Sequence, residues 1–167
     1  EFSGDRYIMM ATKRGIIKKT TLDAYSNPRA GGIIAITLDE GDRLISVQLI
    51  DDEKAVLLGT KKGIVIRFHV KEVRPIGRVG RGVRGVTLGD DNEVIGMVIV
   101  GDGPSTILAV TEKGYGKRTD LSEYRLQGRG GKGIISIRTN QRNGNAVAFL
   151  QVSDEDEIMM VTAEGKI

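Results

Sequence analysis

Apolar and polar positions alternate along this chain in short bursts interrupted by glycines, and the bursts return with a period of about 50 residues, a spacing that marks propellers and related arrays. "YIMMATKRGIIKKT" (7–20) recurs as "AVLLGTKKGIVIRF" (55–68) and "TILAVTEKGYGKRT" (106–119), and begins again as "EIMMVTAEGKI" (157–167). Each copy is an apolar run, a threonine and a turn closing on Gly15, Gly63, Gly114 or Gly165, followed where complete by a second run. This is a hairpin signature, with glycine supplying the positive φ the turn needs. A loop of about a dozen residues comes next. A glycine then opens another strand, "GIIAITL" from Gly32, "GVRGVTL" from Gly82 or "GIISIRT" from Gly133. A short acidic turn leads to a closing strand, "LISVQLI" (Leu44–Ile50), "VIGMVIV" (Val94–Val100) or "AVAFLQV" (Ala146–Val152).

Four strands per unit, with almost no helical periodicity, predict an all-β fold: an array of small four-stranded antiparallel sheets, none able to bury its faces alone. The repeats run over about 5–52, 53–102 and 103–153, with a truncated fourth over 154–167. Stacked neighbours supply the core, so Ile8, Met10, Ile36, Val56, Leu58, Val86, Ile107, Ala109 and Ile137 are expected packing residues, and Met9, Met159 and Met160 core filler. The fourth copy stops just after its turn, which suggests a fragment of a longer protein. Its opening strand, 157–162, is expected to pair with the third unit or with another molecule.

One motif invites a different reading. Gly128-x-Gly130-x-x-Gly133 and Gly80-x-Gly82-x-x-Gly85 have the spacing of a dinucleotide-binding loop. Both lead into β-rich runs, and no helix N-terminus follows to receive a pyrophosphate. The dinucleotide reading fails on context. A single histidine, His69, and no cysteine leave no triad, thiolate or zinc site to assemble, and the acidic clusters lack calcium-loop spacing. No catalytic constellation and no cofactor site emerge. No apolar run spans a bilayer and no secretory signal opens the chain, so the expectation is a soluble protein of a reducing cytoplasm with no membrane partner.

Charge sharpens the picture. The net charge of +3 is small, but its arrangement repeats. Basic residues collect in the first hairpin and long loop of each unit: Lys13, Arg14, Lys18, Lys19 and Arg29; then Lys61, Lys62, Arg67, Lys71, Arg74, Arg78, Arg81 and Arg84; then Lys113, Lys117, Arg118, Arg125, Arg129, Lys132 and Arg138. Acidic residues occupy the other turns, including Asp39, Glu40, Asp42, Asp90, Asp91 and Glu93. Stacked units would align equivalent loops into a basic stripe along one edge, with the acids elsewhere. Such a stripe suits duplex DNA, whose phosphates attract Lys and Arg through counterion release. The bland alternative is that the charges are merely solvated and the glycines serve only to open strands. Aromatics are 4% of the chain and form no recurring platform, which disfavours a single-strand binder.

These residues carry a resemblance. "MATKRGIIKKT", "GTKKGIVIRF", "GVRGVTLGDDNEVIGM", "TEKGYGKRTDLSEYR" and "GKGIISIRTNQRNG" resemble the repeats of the C-terminal domain of bacterial DNA gyrase A, part of a type IIA topoisomerase, over nearly the whole chain. The related C-terminal domain of topoisomerase IV is the nearest rival, and a propeller-type protein scaffold is the alternative from another class. The resemblance implies part of a six-bladed β-pinwheel, blades three to five plus the start of the sixth. It implies a domain that wraps duplex DNA, is not an enzyme by itself, and supports ATP-dependent negative supercoiling. Its implied partners are double-stranded DNA, the remainder of gyrase A, and gyrase B, in the bacterial cytoplasm at the nucleoid. The catalytic residues, ATP and Mg would lie on other domains. The family's box, Gln-Arg-Arg-Gly-Gly-Lys-Gly, is matched by Gln127, Gly128, Arg129, Gly130, Gly131, Lys132 and Gly133 except that Gly128 replaces an arginine. That box belongs to the first blade, so this loop is read as a degenerate sister copy. Arg78, Arg81, Arg84, Arg129 and Lys132 are the leading expected DNA contacts, followed by Lys61, Lys62, Lys117 and Arg118.

Overall fold

The structure, a computed structural model, describes residues 6–101 and 105–165. The outer repeat limits at Asp5, Asp102, Gly103 and Ile167 lie outside the described residues. Three hairpins organise the chain: β1 (Tyr7–Thr12) with β2 (Ile16–Thr21), β4 (Ala55–Thr60) with β5 (Ile64–His69), and β8 (Thr106–Thr111) with β9 (Gly116–Asp120). On the far side of each first strand lies a closing strand: β3 (Leu44–Ile50) on β1, β7 (Val94–Val100) on β4 and β11 (Ala146–Val152) on β8, all antiparallel. The only helical pieces among the described residues are three short 3-10 turns, Leu22–Tyr25, Val70–Glu72 and Leu121–Glu123, each directly after a hairpin.

The fourth strand of the first two sheets overturns one expectation. It comes from the following unit. β6 (Val83–Arg84) pairs with β2, Val83 opposite Ile17 and Arg84 opposite Ile16. β10 (Ile134–Ile135) pairs with β5, Ile134 opposite Val65 and Ile135 opposite Ile64. The opening glycines explain the local geometry. Gly82 at φ 102° and Gly133 at φ 77° lie so close to the neighbouring hairpin that a Cβ would sit 2.4 Å from the Ile17 or Val65 carbonyl oxygen. Here glycine does serve to open the strand. The equivalent run after Gly32 forms no strand, since no hairpin among the described residues precedes β1 for it to join. By the same logic the sheet of β11, β8 and β9 has three strands, and residues 157–162 join no sheet among the described residues, so the expected strand pairing with the third unit is not formed.

Crossing strands lock the units, and side-chain alternation fills the space between them. Val56 and Leu58 face Met9, Ala11, Ile17 and Val86 in one core. Ala55, Leu57 and Val65 turn the other way, toward Ile107, Ala109, Ile137 and Phe149. Every residue of β4 is therefore buried. Each fully buried aliphatic side chain contributes about 1.5–3 kcal/mol. Units approach closely enough that a Cβ on Gly59 would lie 2.1 Å from the Phe149 ring. The first strand departs from the expected pattern: Met9 and Ala11 enter this core, Met10 is buried outside it, and Ile8 and Ile36 are only half-buried. Met159 and Met160 are exposed rather than core filler, because no sheet receives their segment.

Candidate nucleic-acid interface

The long loops of the second and third units run along the outer edge of the preceding hairpin. Ile76 N–H donates to the Lys19 carbonyl at 2.8 Å, and Gln127 N–H donates to the Arg67 carbonyl at 2.8 Å. Both loops are then latched by a threonine of the preceding unit. Thr37 Oγ1 donates to the Val79 carbonyl at 2.6 Å, and Thr87 Oγ1 donates to the Gly130 carbonyl at 2.6 Å. The Thr87 amide adds a bond to the Gly131 carbonyl at 2.8 Å. Counting back from Gly82 and Gly133, Arg78 matches Arg129 and Arg81 matches Lys132.

Matched residues do matched work. Arg78 Nη1 donates to the Ile34 carbonyl at 2.8 Å, and Arg129 Nη1 donates to the equivalent Arg84 carbonyl at 3.2 Å. These two arginines therefore help to clasp neighbouring units. Arg129 places its guanidinium against the Arg84 backbone, so the loop carrying Arg81 and Arg84 meets the loop carrying Arg129 and Lys132. The Arg84 and Lys132 side chains are exposed and make no hydrogen bond or ion pair among the described residues.

Other basic residues of the hairpins are engaged within the fold. Lys18 is 0% exposed and Lys19 2%. Lys18 Nζ donates to the carbonyls of Ala35, at 2.8 Å, and Arg78. Burial, reinforced by the Arg78 charge, holds its pKa below the ordinary lysine value. Lys19 Nζ bonds Asp52 Oδ1 at 2.6 Å and the Val70 carbonyl at 3.3 Å, and lies 4.7 Å from the Tyr7 ring centroid. Arg67, at the position equivalent to Lys19, reaches the carbonyls of Leu121 and Tyr124, both at 3.2 Å. Lys19 and Arg67 each cross from a hairpin to the 3-10 turn of the next unit. Arg118, next in that series, pairs with Asp154 at 2.6 Å, while Lys117 Nζ reaches the Ser136 carbonyl at 3.3 Å. Lys61 and Lys62 stand at a hairpin tip, their amides bonded to the Glu93 carbonyl at 2.9 Å and to Asn92 Oδ1 at 3.0 Å.

The acidic residues are not segregated as the sequence suggested. Asp39 pairs with Arg81 at 2.6 Å and Glu93 with Lys13 at 2.9 Å. Glu72 Oε2 accepts the Arg129 amide at 3.0 Å. The turns carrying Asp39 and Glu93 fold back beside the hairpin tips, as the Lys13 N–H bond to the Arg43 carbonyl shows. Acids therefore lie among the basic residues rather than apart from them.

The repeating architecture has a counterpart among known proteins. A family model described as "DNA gyrase C-terminal domain, beta-propeller" matches residues 6–51, 54–101 and 105–153. The chain belongs to this gyrase C-terminal domain family. It is 44% identical over 164 residues to the DNA gyrase A protein of Haloquadratum walsbyi, covering 98% of this chain and 19% of that relative. It is 46% identical over 161 residues to the DNA gyrase A protein of Pseudomonas aeruginosa, covering 96% of this chain and 17% of that one. A solved DNA gyrase A C-terminal domain superposes with a TM-score of 0.86 at 28% identity, covering 96% of this chain and 54% of the other. The C-terminal domain of DNA topoisomerase IV also gives 0.86, at 25% identity and with 92% and 48% covered. The fold is thus the all-β gyrase pinwheel in part, each unit a blade. Among the described residues no group of His, Cys, Asp and Glu could hold a metal ion, and no helix is long and apolar enough to cross a membrane.

Proposed function

We propose that this chain is a duplex-DNA-binding and DNA-wrapping part of a gyrase A C-terminal domain, acting through the backbone phosphates along its outer edge. The observation that carries the reading is the serial latching of two basic loops, the one bearing Arg81 and Arg84 and the one bearing Arg129 and Lys132, onto successive units. Arg84 and Lys132, exposed and unpaired among the described residues, are the principal contacts. Arg78 and Arg129 shape the edge as well as charging it. Phosphate contacts of this kind position a duplex without reading its bases. Smoothly bending a 20–30 base-pair site by 40–90° costs on the order of 1–6 kcal/mol, which a row of phosphate contacts offsets.

Within the holoenzyme the domain works with the rest of gyrase A and with gyrase B, in the bacterial cytoplasm, where ATP-dependent negative supercoiling is carried out by residues and cofactors of other domains. The domain itself needs none. Lys61 and Lys62 at the hairpin tip are secondary contacts, as are Lys117 and Arg118, whose side chains already bond the Ser136 carbonyl and Asp154. The test is a titration of a short duplex at low salt. Arg84→Glu, on an exposed side chain, should lower affinity by about tenfold with folding intact. Unchanged affinity would contradict the reading.

A further inference from the structure

The box-like loop holds an anion already. Glu72, in the 3-10 turn of the second blade, places Oε2 3.0 Å from the backbone nitrogen of Arg129 and accepts its hydrogen. The same carboxylate oxygen lies 4.0 Å from where a Cβ on Gly128 would stand. Beside that amide the Arg129 guanidinium is held by Nε on the Glu72 carbonyl at 3.2 Å and by Nη1 on the Arg84 carbonyl, the Arg84 side-chain stem lies against Gly130, and Lys132, three residues on in the same loop, is exposed and unpaired among the described residues. The amides of Gly131 and Lys132 have no hydrogen-bond partner among the described residues. A donor cluster of peptide N–H groups and flanking cations on an exposed edge suits a singly charged oxyanion.

We infer that this cluster is the seat of one backbone phosphodiester of bound duplex, and that Glu72 is its internal stand-in, displaced when DNA docks. This rests on the DNA-binding reading and adds to it which donors receive a phosphate and which group competes for them. Glu72 and Arg129 are both exposed, so water screens the contact and the competition is mild. Asp39, which neutralises Arg81 at 2.6 Å on the sister loop, opposes DNA in the same way through a side chain rather than an amide.

The substitution that isolates the charge is Glu72→Gln. The amide oxygen of Gln can still accept from Arg129, so the loop keeps its shape and loses only the negative charge. Duplex affinity of the full chain should rise about three- to fivefold at low salt, with the gain shrinking as salt screens it. Glu155→Gln, an equal change in net charge at the far end of the chain, is the control and should give less than half that gain. Glu72→Ala should bind at least as tightly as wild type. The proposal is overturned if Glu72→Gln matches the Glu155→Gln control or binds more weakly than wild type. It is overturned equally if Glu72→Ala weakens binding, which would make Glu72 a support of the loop rather than a competitor. Duplex affinity left unchanged by Arg84→Glu brings down the DNA reading itself, and this inference with it, so the two failures are told apart.

Discussion

The loops 76–82 and 127–133 share one design and differ in how each is held and neutralised. Both begin on the edge of the preceding hairpin, carry a clasping arginine, are latched by a threonine and end on a left-handed glycine. Beneath the first lies the buried Lys18 amine, gripping the Arg78 carbonyl. Beneath the second, the position equivalent to Lys18 is Ile66, whose Cδ1 would lie 3.4 Å from a Cβ on Gly131. The first loop is thus pinned by a charge and the second rests on an apolar seat. Neutralisation differs too. Asp39 ties up Arg81, whereas Gly89 stands at the position equivalent to Asp39 and Lys132 has no ion pair among the described residues. The same backbone frame can therefore be retuned blade by blade through a few side chains, which points to the third-blade loop as the more available partner for an anion.

The largest effect should come from breaking what the loops share. Gly82→Ala and Gly133→Ala each drive a Cβ against a carbonyl at positive φ, and each should cost about 3 kcal/mol or more in denaturant-unfolding stability. A large cost at one and none at the other would show that the loops are not equivalent. Next, Lys18→Met removes the donor serving Ala35 and Arg78 and should cost about 2 kcal/mol, with faster amide exchange in 76–82 than in 127–133. Because Lys18 has a folded-state pKa below its unfolded value of about 10.5, the unfolded chain binds more protons in the window between the two. Wild-type stability relative to Lys18→Met should therefore rise with pH through that window, and a fall would refute the assignment. A smaller difference separates the rim cations: Lys132→Glu should weaken duplex binding about threefold more than Arg81→Glu, since Arg81 is already paired. The mildest change is Gly128→Arg. A side chain there meets little but the Glu72 carboxylate, and it should raise duplex affinity about twofold while leaving stability within about 0.5 kcal/mol.

Much of this was legible in the chain because the hairpins are local. A threonine, a two-residue turn and a glycine at matching distances announce each one, and the closing strands follow from their alternation. The crossing strands were not legible. Val83–Arg84 and Ile134–Ile135 are two residues long, and their partners lie in another unit, so no local pattern distinguishes own-blade from next-blade pairing. The tandem Lys18-Lys19 read as a basic hairpin because lysines are seldom buried. Its burial becomes legible only once the stacking is known: adjacent residues of a strand face opposite sides, and β2 is covered on both. Glu72 and Asp39 went unnoticed as partners of the loops because the turns that carry them are distant in sequence from Arg129 and Arg81.

The salt dependence of duplex binding tests the central claim most directly. Removing one phosphate interaction should flatten the plot of log affinity against log salt by about 0.9, so Arg84→Glu/Lys132→Glu should reduce the slope by about 1.8 relative to wild type, with unfolding unchanged. Parallel plots for the two proteins would mean that these cations touch no phosphate, and the outer edge would not be a path for DNA.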